Sequence, residues 1–181
     1  MTLIIVLIIL VLLILWFISV QRNLVASEER CKNALSQIGV QQNSRWDALT
    51  AIADQIRSYD EHEYNTLKDV IAQRKPINQN STAEEAQAQE NLLNQAMGRL
   101  NVVVEKYPDL KANELYVKSL DAINQYENQV RLSRMVYNDS VTKYNQLIRQ
   151  IPSSFVASML HFTVRDYLEE PQGKTEMPNM R

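Results

Sequence analysis

The stretch YENQVRLSRMVYNDSVTKYN, residues 126–145, decides the fold. Traced in both directions, its inward positions are Tyr116, Leu120, Ile123, Glu127, Val130, Arg134, Tyr137, Val141, Tyr144 and Ile148. The steps alternate four and three, the seam of a bundle helix or coiled coil. Two seam positions, Glu127 and Arg134, are charged and opposite in sign. A helix that hides such a face must supply both with partners.

Working back toward the N-terminus, a second seam runs through Leu24, Cys31, Leu35, Ile38, Gln42, Arg45, Leu49, Ile52, Ile56, Tyr59, Glu63, Leu67 and Val70. No proline interrupts it, so the spacing predicts one helix to about Gln73, with the polar run Gln41–Ser44 as the place for a bend. Pro76 then stops it, and Ser81 or Thr82 with Glu84 or Glu85 has capping-box spacing for the next helix. That helix carries Ala86, Leu93, Met97, Leu100 and Val104 on one face, and Gly98 implies close approach of a neighbour. YPDLKAN, residues 107–113, is the next break, with Asp109 or Asn113 as N-cap of the helix that holds the opening stretch. Pro152 ends that helix, and Ser153 or Ser154 caps a short apolar turn. His161, between Leu160 and Phe162, reads as a packed or snorkelling histidine. Residues 169–181 have little to bury and are expected to be a disordered tail.

Leu3–Val20, LIIVLIILVLLILWFISV, contains no charge. Eighteen helical residues rise about 27 Å, close to a bilayer's hydrocarbon thickness. Trp16 and Phe17 near its exit suit the aromatic belt. The basic n-region and small-residue cleavage site of a signal peptide are absent, so a retained single-pass anchor is expected. Arg22, Arg30 and Lys32 follow the span, which leans the soluble part toward the cytoplasm.

The fold class is therefore all-α: an N-terminal transmembrane helix (1–20), an antiparallel long-helix bundle of three to four helices (21–168) and the tail. Few glycines and prolines among 181 residues agree with long helices. A formal charge of −2 excludes the basic patch that nucleic-acid binding needs. The single cysteine, Cys31, excludes an internal disulfide and a cysteine-rich metal site. DEHE at 60–63 lacks the second histidine of a zinc helix, no phosphate-binding or nucleophile motif is present, and no cofactor is expected. We expect no enzyme.

Gln42, Arg45, Glu63, Glu127 and Arg134 form an expected structural polar layer, with pairs such as Arg45–Glu127 and Arg134–Glu63 fixing register. Helix lengths sharpen the picture. A first helix of roughly 50 residues outside the membrane would span about 75–80 Å, against about 37 Å for the second. The lower seam, Leu24, Cys31, Leu35 and Ile38, would then lack a partner within the chain. We expect it to pair with other copies, the alternative being a fold-back near Gln41–Ser44. Phe155, Met159, Phe162 and Tyr167 are candidates for docking a membrane protein partner.

The ordered motifs RNLV (22–25), SQIGVQ (36–41), Arg45 with Asp47 and Leu49, Tyr59 with His62-Glu63, GRL (98–100), EKYPDLKANE (105–114), Glu127, Arg134, YN at 137–138, Val141, YN at 144–145 and IPSS (151–154) with the aromatic end through Phe162 and Tyr167 make the chain similar to the LemA family. It departs at Ala34-Leu35, Gly39 and Thr50-Ala51-Ile52, where the family has Ala-Trp, Asp and Pro-Asn-Leu. Gly39 is left as the source of flexibility. The resemblance implies a helical bundle of about four helices held at a bacterial membrane by one span, without an established enzymatic activity. The function expected is a self-associating scaffold that organises partners at the membrane surface, the alternative being an adaptor or regulator of a membrane protease or other envelope enzyme.

Overall fold

A computed structural model describes residues 1–169 of the chain. All the regular structure among them is helical: α1 (Thr2–Ile56), α2 (Glu61–Ile71), α3 (Ala83–Lys106), α4 (Pro108–Lys111), α5 (Glu114–Arg149) and α6 (Ser153–Met159). The tail expected over 169–181 lies, Glu169 apart, outside the described residues.

The first helix ends earlier than the seam suggests. The N–H groups of Tyr59 and Asp60 both donate to the Ile56 carbonyl, and Asp60 turns extended, with φ −155°. Its Oδ1 accepts from the N–H groups of His62 and Glu63 at 3.0 and 3.1 Å and starts α2 as an N-cap. Oδ2 of the same carboxylate accepts from the Tyr107 hydroxyl and Lys106 Nζ, tying this corner to the end of α3. Hydrogen bonding to the Glu63 N–H, with Lys106 and Tyr107, holds the Asp60 carboxyl below the ordinary carboxylate range.

The break changes the topology. α2 descends, and at its foot Arg74 bonds Asp47 at 2.8 Å and Asn43 at 3.3 Å. α3 rises from the Thr82–Glu85 capping box beside Gln42, and Asn113 caps α5. α5 then runs back down along α1. Its 36 residues span about 54 Å. The stretch 21–56 of α1 has the same length, so α5 reaches the lower end of the soluble part. There α6 packs on Leu24, Phe17 and Val20, and the chain climbs again in extended form over 162–169. The upper half is a four-helix bundle (α1, α2, α3, α5), while the lower half is α1 and α5 closed by this extended strap.

α1 passes Gln41–Ser44 without a break. Gly39 is not a hinge; a Cβ there would stand 2.0 Å from the Ile77 carbonyl oxygen, so glycine lets the α2–α3 loop seat against the helix. Gly98 is solvent-facing, with no atom within 4 Å of a Cβ placed on it, and no neighbour approaches.

α6 has Pro152 rather than a serine at its N-cap, and the Ser153 hydroxyl donates to the Leu147 and Gln150 carbonyls. His161 is exposed at φ 59°. It is the left-handed residue of a Schellman turn in which Phe162 N–H bonds the Ala157 carbonyl and His161 N–H that of Ser158.

Candidate functional site

Polar side chains cross the bundle where its upper and middle apolar clusters meet. On α1 the layer lies between Ile38 and Leu49, and on α5 between Ile123 and Tyr137. α3 contributes Glu90, one step of the seam from Ala86 and another from Leu93. Arg45, only 1% exposed, donates through Nη1 to Glu90 Oε1 at 2.8 Å, with Glu127 Oε2 3.7 Å from Nη2. Gln42 Nε2 donates to Glu90 Oε2 at 3.0 Å and to the Ala86 carbonyl at 3.4 Å. The Arg45–Glu127 pair exists, but Glu90 is the nearer partner.

Arg134 departs from the expected pairing with Glu63. Its Nη2 donates to Gln87 Oε1 at 2.8 Å and to the Glu169 carbonyl. Glu63 stands half-buried in the first turn of α2, away from this layer, with its N–H on Asp60. Burial pushes the Arg134 guanidinium down, opposed by the charge of Glu90.

The pairing within the layer is incomplete. Gln42 Oε1, Arg45 Nε and Arg134 Nη1 are buried without a hydrogen-bond partner, and such gaps offset much of what the pairs contribute. Only one placement of α3 brings Glu90 to both Gln42 and Arg45. Among the described residues no group of three or more His, Cys, Asp or Glu is arranged to hold a metal ion.

The second arrangement gives the repeated Tyr-Asn pairs a use. Asn145 Nδ2 donates to the Arg165 carbonyl while its Oδ1 accepts from the Arg165 N–H, both at 2.9 Å. Asn138 makes the same two-way grip on Leu168, at 3.0 and 2.9 Å. Seven helical residues rise about 10.5 Å and three extended residues about 10 Å, so a heptad of α5 matches three residues of strap. The Tyr137 hydroxyl donates to the Asp166 carbonyl between the two grips. Leu168 is buried against Cys31 and Tyr137, and Arg165 bonds Glu28 at 3.0 Å. Burial raises the pKa of both the Tyr137 and Tyr144 hydroxyls and of the Cys31 thiol.

The four residues expected at an oligomer interface are placed otherwise. Leu24, Cys31, Leu35 and Ile38 are all fully buried within one chain, under α5, α6 and the strap. The early end of α1 and the return of α5 supply the partner that a single helix to Gln73 would have lacked. Of the docking candidates, Phe155, Met159 and Tyr167 are exposed, while Phe162 is half-buried and packs on the middle and lower clusters.

A membrane-length apolar helix, 14 of whose residues, Leu3–Trp16, are all exposed, leads into a helical bundle whose interior holds the Arg45–Glu90 ion pair. That combination defines a membrane-associated helical protein. The sequence model of the LemA family matches residues 34–181, and the chain belongs to the LemA family.

Its relatives include the protein LemA of Metamycoplasma hominis, 26% identical over 150 residues that cover 81% of this chain and 68% of that protein. Magnetosome protein MamQ 2 of Paramagnetospirillum magneticum is 31% identical over 81 residues, 44% of this chain and 30% of the relative. MamQ of Magnetospirillum gryphiswaldense is 30% identical over the same shares. The chain thus spans about two thirds of the first relative and under a third of the MamQ proteins. None of these names states an enzymatic activity.

Proposed function

We propose that the protein is a non-enzymatic scaffold of the bacterial cell membrane, anchored by a single span, that self-associates and organises partners at the bilayer surface. Leu3–Trp16 supports the span, because a contiguous apolar surface of this length has no stable place in water. Arg22, Arg30 and Lys32 just beyond it favour a cytoplasmic bundle.

The observation that carries self-association is the outer flank of the lower α1–α5 pair, on α5 rather than on the buried seam. Leu132, Met135 and Val136 are exposed there, and Leu132 and Val136 face Ala34 and Gln37 across a shallow groove. A second copy would bury this flank by presenting its own.

Light scattering of the full chain in nanodiscs at several concentrations tests this. A discrete multimer that Val136→Lys dissociates is expected. A wild-type monomer at every concentration overturns the self-association. The second reading, an adaptor of a membrane enzyme, draws on the exposure of Phe155, Met159 and Tyr167. Crosslinking from those positions that finds only copies of this chain counts against it.

A further inference from the structure

The corner formed by residues 151–164 contains no Asp, Glu, Lys or Arg, and arginines stand on both sides of it, at 149 and 165. α6 uses Val156 and Ala157 to pack on α1. Its outward face would be polar in a water-soluble helix; here it carries Phe155 and Met159, one turn apart, 70% and 62% exposed. Ile151, just before the helix, is 79% exposed.

The place of this apolar face decides what covers it. α6 shares one apolar cluster with Leu24, Phe17 and Val20, which span the last turn of the apolar run and the first turn beyond it. It therefore lies level with the point where α1 leaves the hydrocarbon. A short uncharged apolar helix at that height, with the exposed Arg149 just before it, has the composition of an interfacial membrane segment.

We propose that the α6 corner is a second membrane contact, an interfacial foot that buries Ile151, Phe155 and Met159 among the lipids of the bilayer that α1 crosses. It rests on the reading of Leu3–Val20 as a span. One helix alone would leave the bundle free to lean. A foot beside it fixes the tilt and the rotation, so that one chosen side of the bundle faces along the membrane.

The test uses the full chain in liposomes of phosphatidylcholine and phosphatidylglycerol, without other proteins. A single fluorophore is attached at Phe155→Cys, and separately at Met159→Cys, Leu10→Cys and Asp121→Cys; the unsubstituted chain, with its buried Cys31, gives the background. Lipids brominated at shallow or deep acyl positions report depth. Quenching at 155 and 159 is expected, strongest with shallow bromines, since interfacial helices sit about 5–10 Å below the headgroup boundary. Position 10 should respond most to deep bromines and position 121 to neither.

Quenching at 10 with none at 155 or 159 overturns the foot and leaves the span standing. No quenching at 10 overturns the span itself. Positions 155 and 159 shielded from aqueous iodide yet untouched by brominated lipid would mean that protein covers the corner, and the lipid assignment falls.

Discussion

Replacing Glu90 by methionine removes the carboxylate on which Arg45 and Gln42 both depend. Arg45 is 1% exposed and a guanidinium keeps its charge in proteins, so the variant strands a cation in the bundle. Breaking a buried pair from one side costs about 3–5 kcal/mol. Glu127, 3.7 Å from Arg45 with its side chain 39% exposed, compensates in part, which places the expectation near the low end, about 3 kcal/mol. For a chain of this size that lowers the unfolding midpoint by roughly 6–12 °C.

The double variant Arg45→Met, Glu90→Met should recover most of the loss, to within about 1 kcal/mol of wild type, because well-packed apolar groups often match a buried pair. Unfolding of the detergent-solubilised chain can be followed by the fluorescence of Trp46, buried beside Arg45. The reasoning is refuted if Glu90→Met alone costs under about 1 kcal/mol, or if the double variant is no better than the single one.

Asn145→Leu should cost about 1–3 kcal/mol by leaving both polar groups of the Arg165 peptide unpaired, and hydrogen exchange should show lost protection at the strap amides of Arg165 and Leu168 while α3 stays protected. The two described glycines should respond with opposite signs: Gly98→Ala gains about 0.5–1 kcal/mol from helix propensity, whereas Gly39→Ala is destabilising because its methyl would displace the Ile77 carbonyl, and thermal unfolding of both variants shows it. Asp60 has a lowered pKa in the folded state, so its stabilisation is complete above the unfolded value near 3.9 and fades as the pH falls through the lower folded value. The stability difference between wild type and Asp60→Ala should accordingly be constant at neutral pH and narrow in acid, which denaturant titrations across that range check.

Much of the helical order was legible because its signals are local. The Thr82–Glu85 box, the Asn113 cap and the uncharged run at the N-terminus each act within a few residues. The end of α1 was hidden because its apolar steps continue through Tyr59 and Leu67 as if nothing intervened. The signal present was Asp60 followed three residues later by Glu63, an N-cap spacing inside an unbroken seam. Glu90 was also open to inspection. The seam of α3 passes from Ala86 to Leu93, and a residue must stand inward between them.

The strap had no such trace. Asn138 and Asn145 hold peptide groups, which every residue possesses, so nothing in residues 165–168 marks them as the other half. Tyr137 and Tyr144 read correctly as core, while the asparagines beside them gave no hint that their partner was an extended chain about twenty to thirty residues away.

The return of α5 along α1 also sets a timetable for the cell. The inward face from Leu24 to Ile38 leaves the ribosome about a hundred residues before the α5 segment that covers it. At translation rates of about 5–20 residues per second, that apolar face waits roughly 5–20 s without its cover, next to a membrane. α6 and the strap follow α5, so the lower half closes only after residue 169 has been made. A newborn chain of this protein is thus a long greasy helix first and a bundle second.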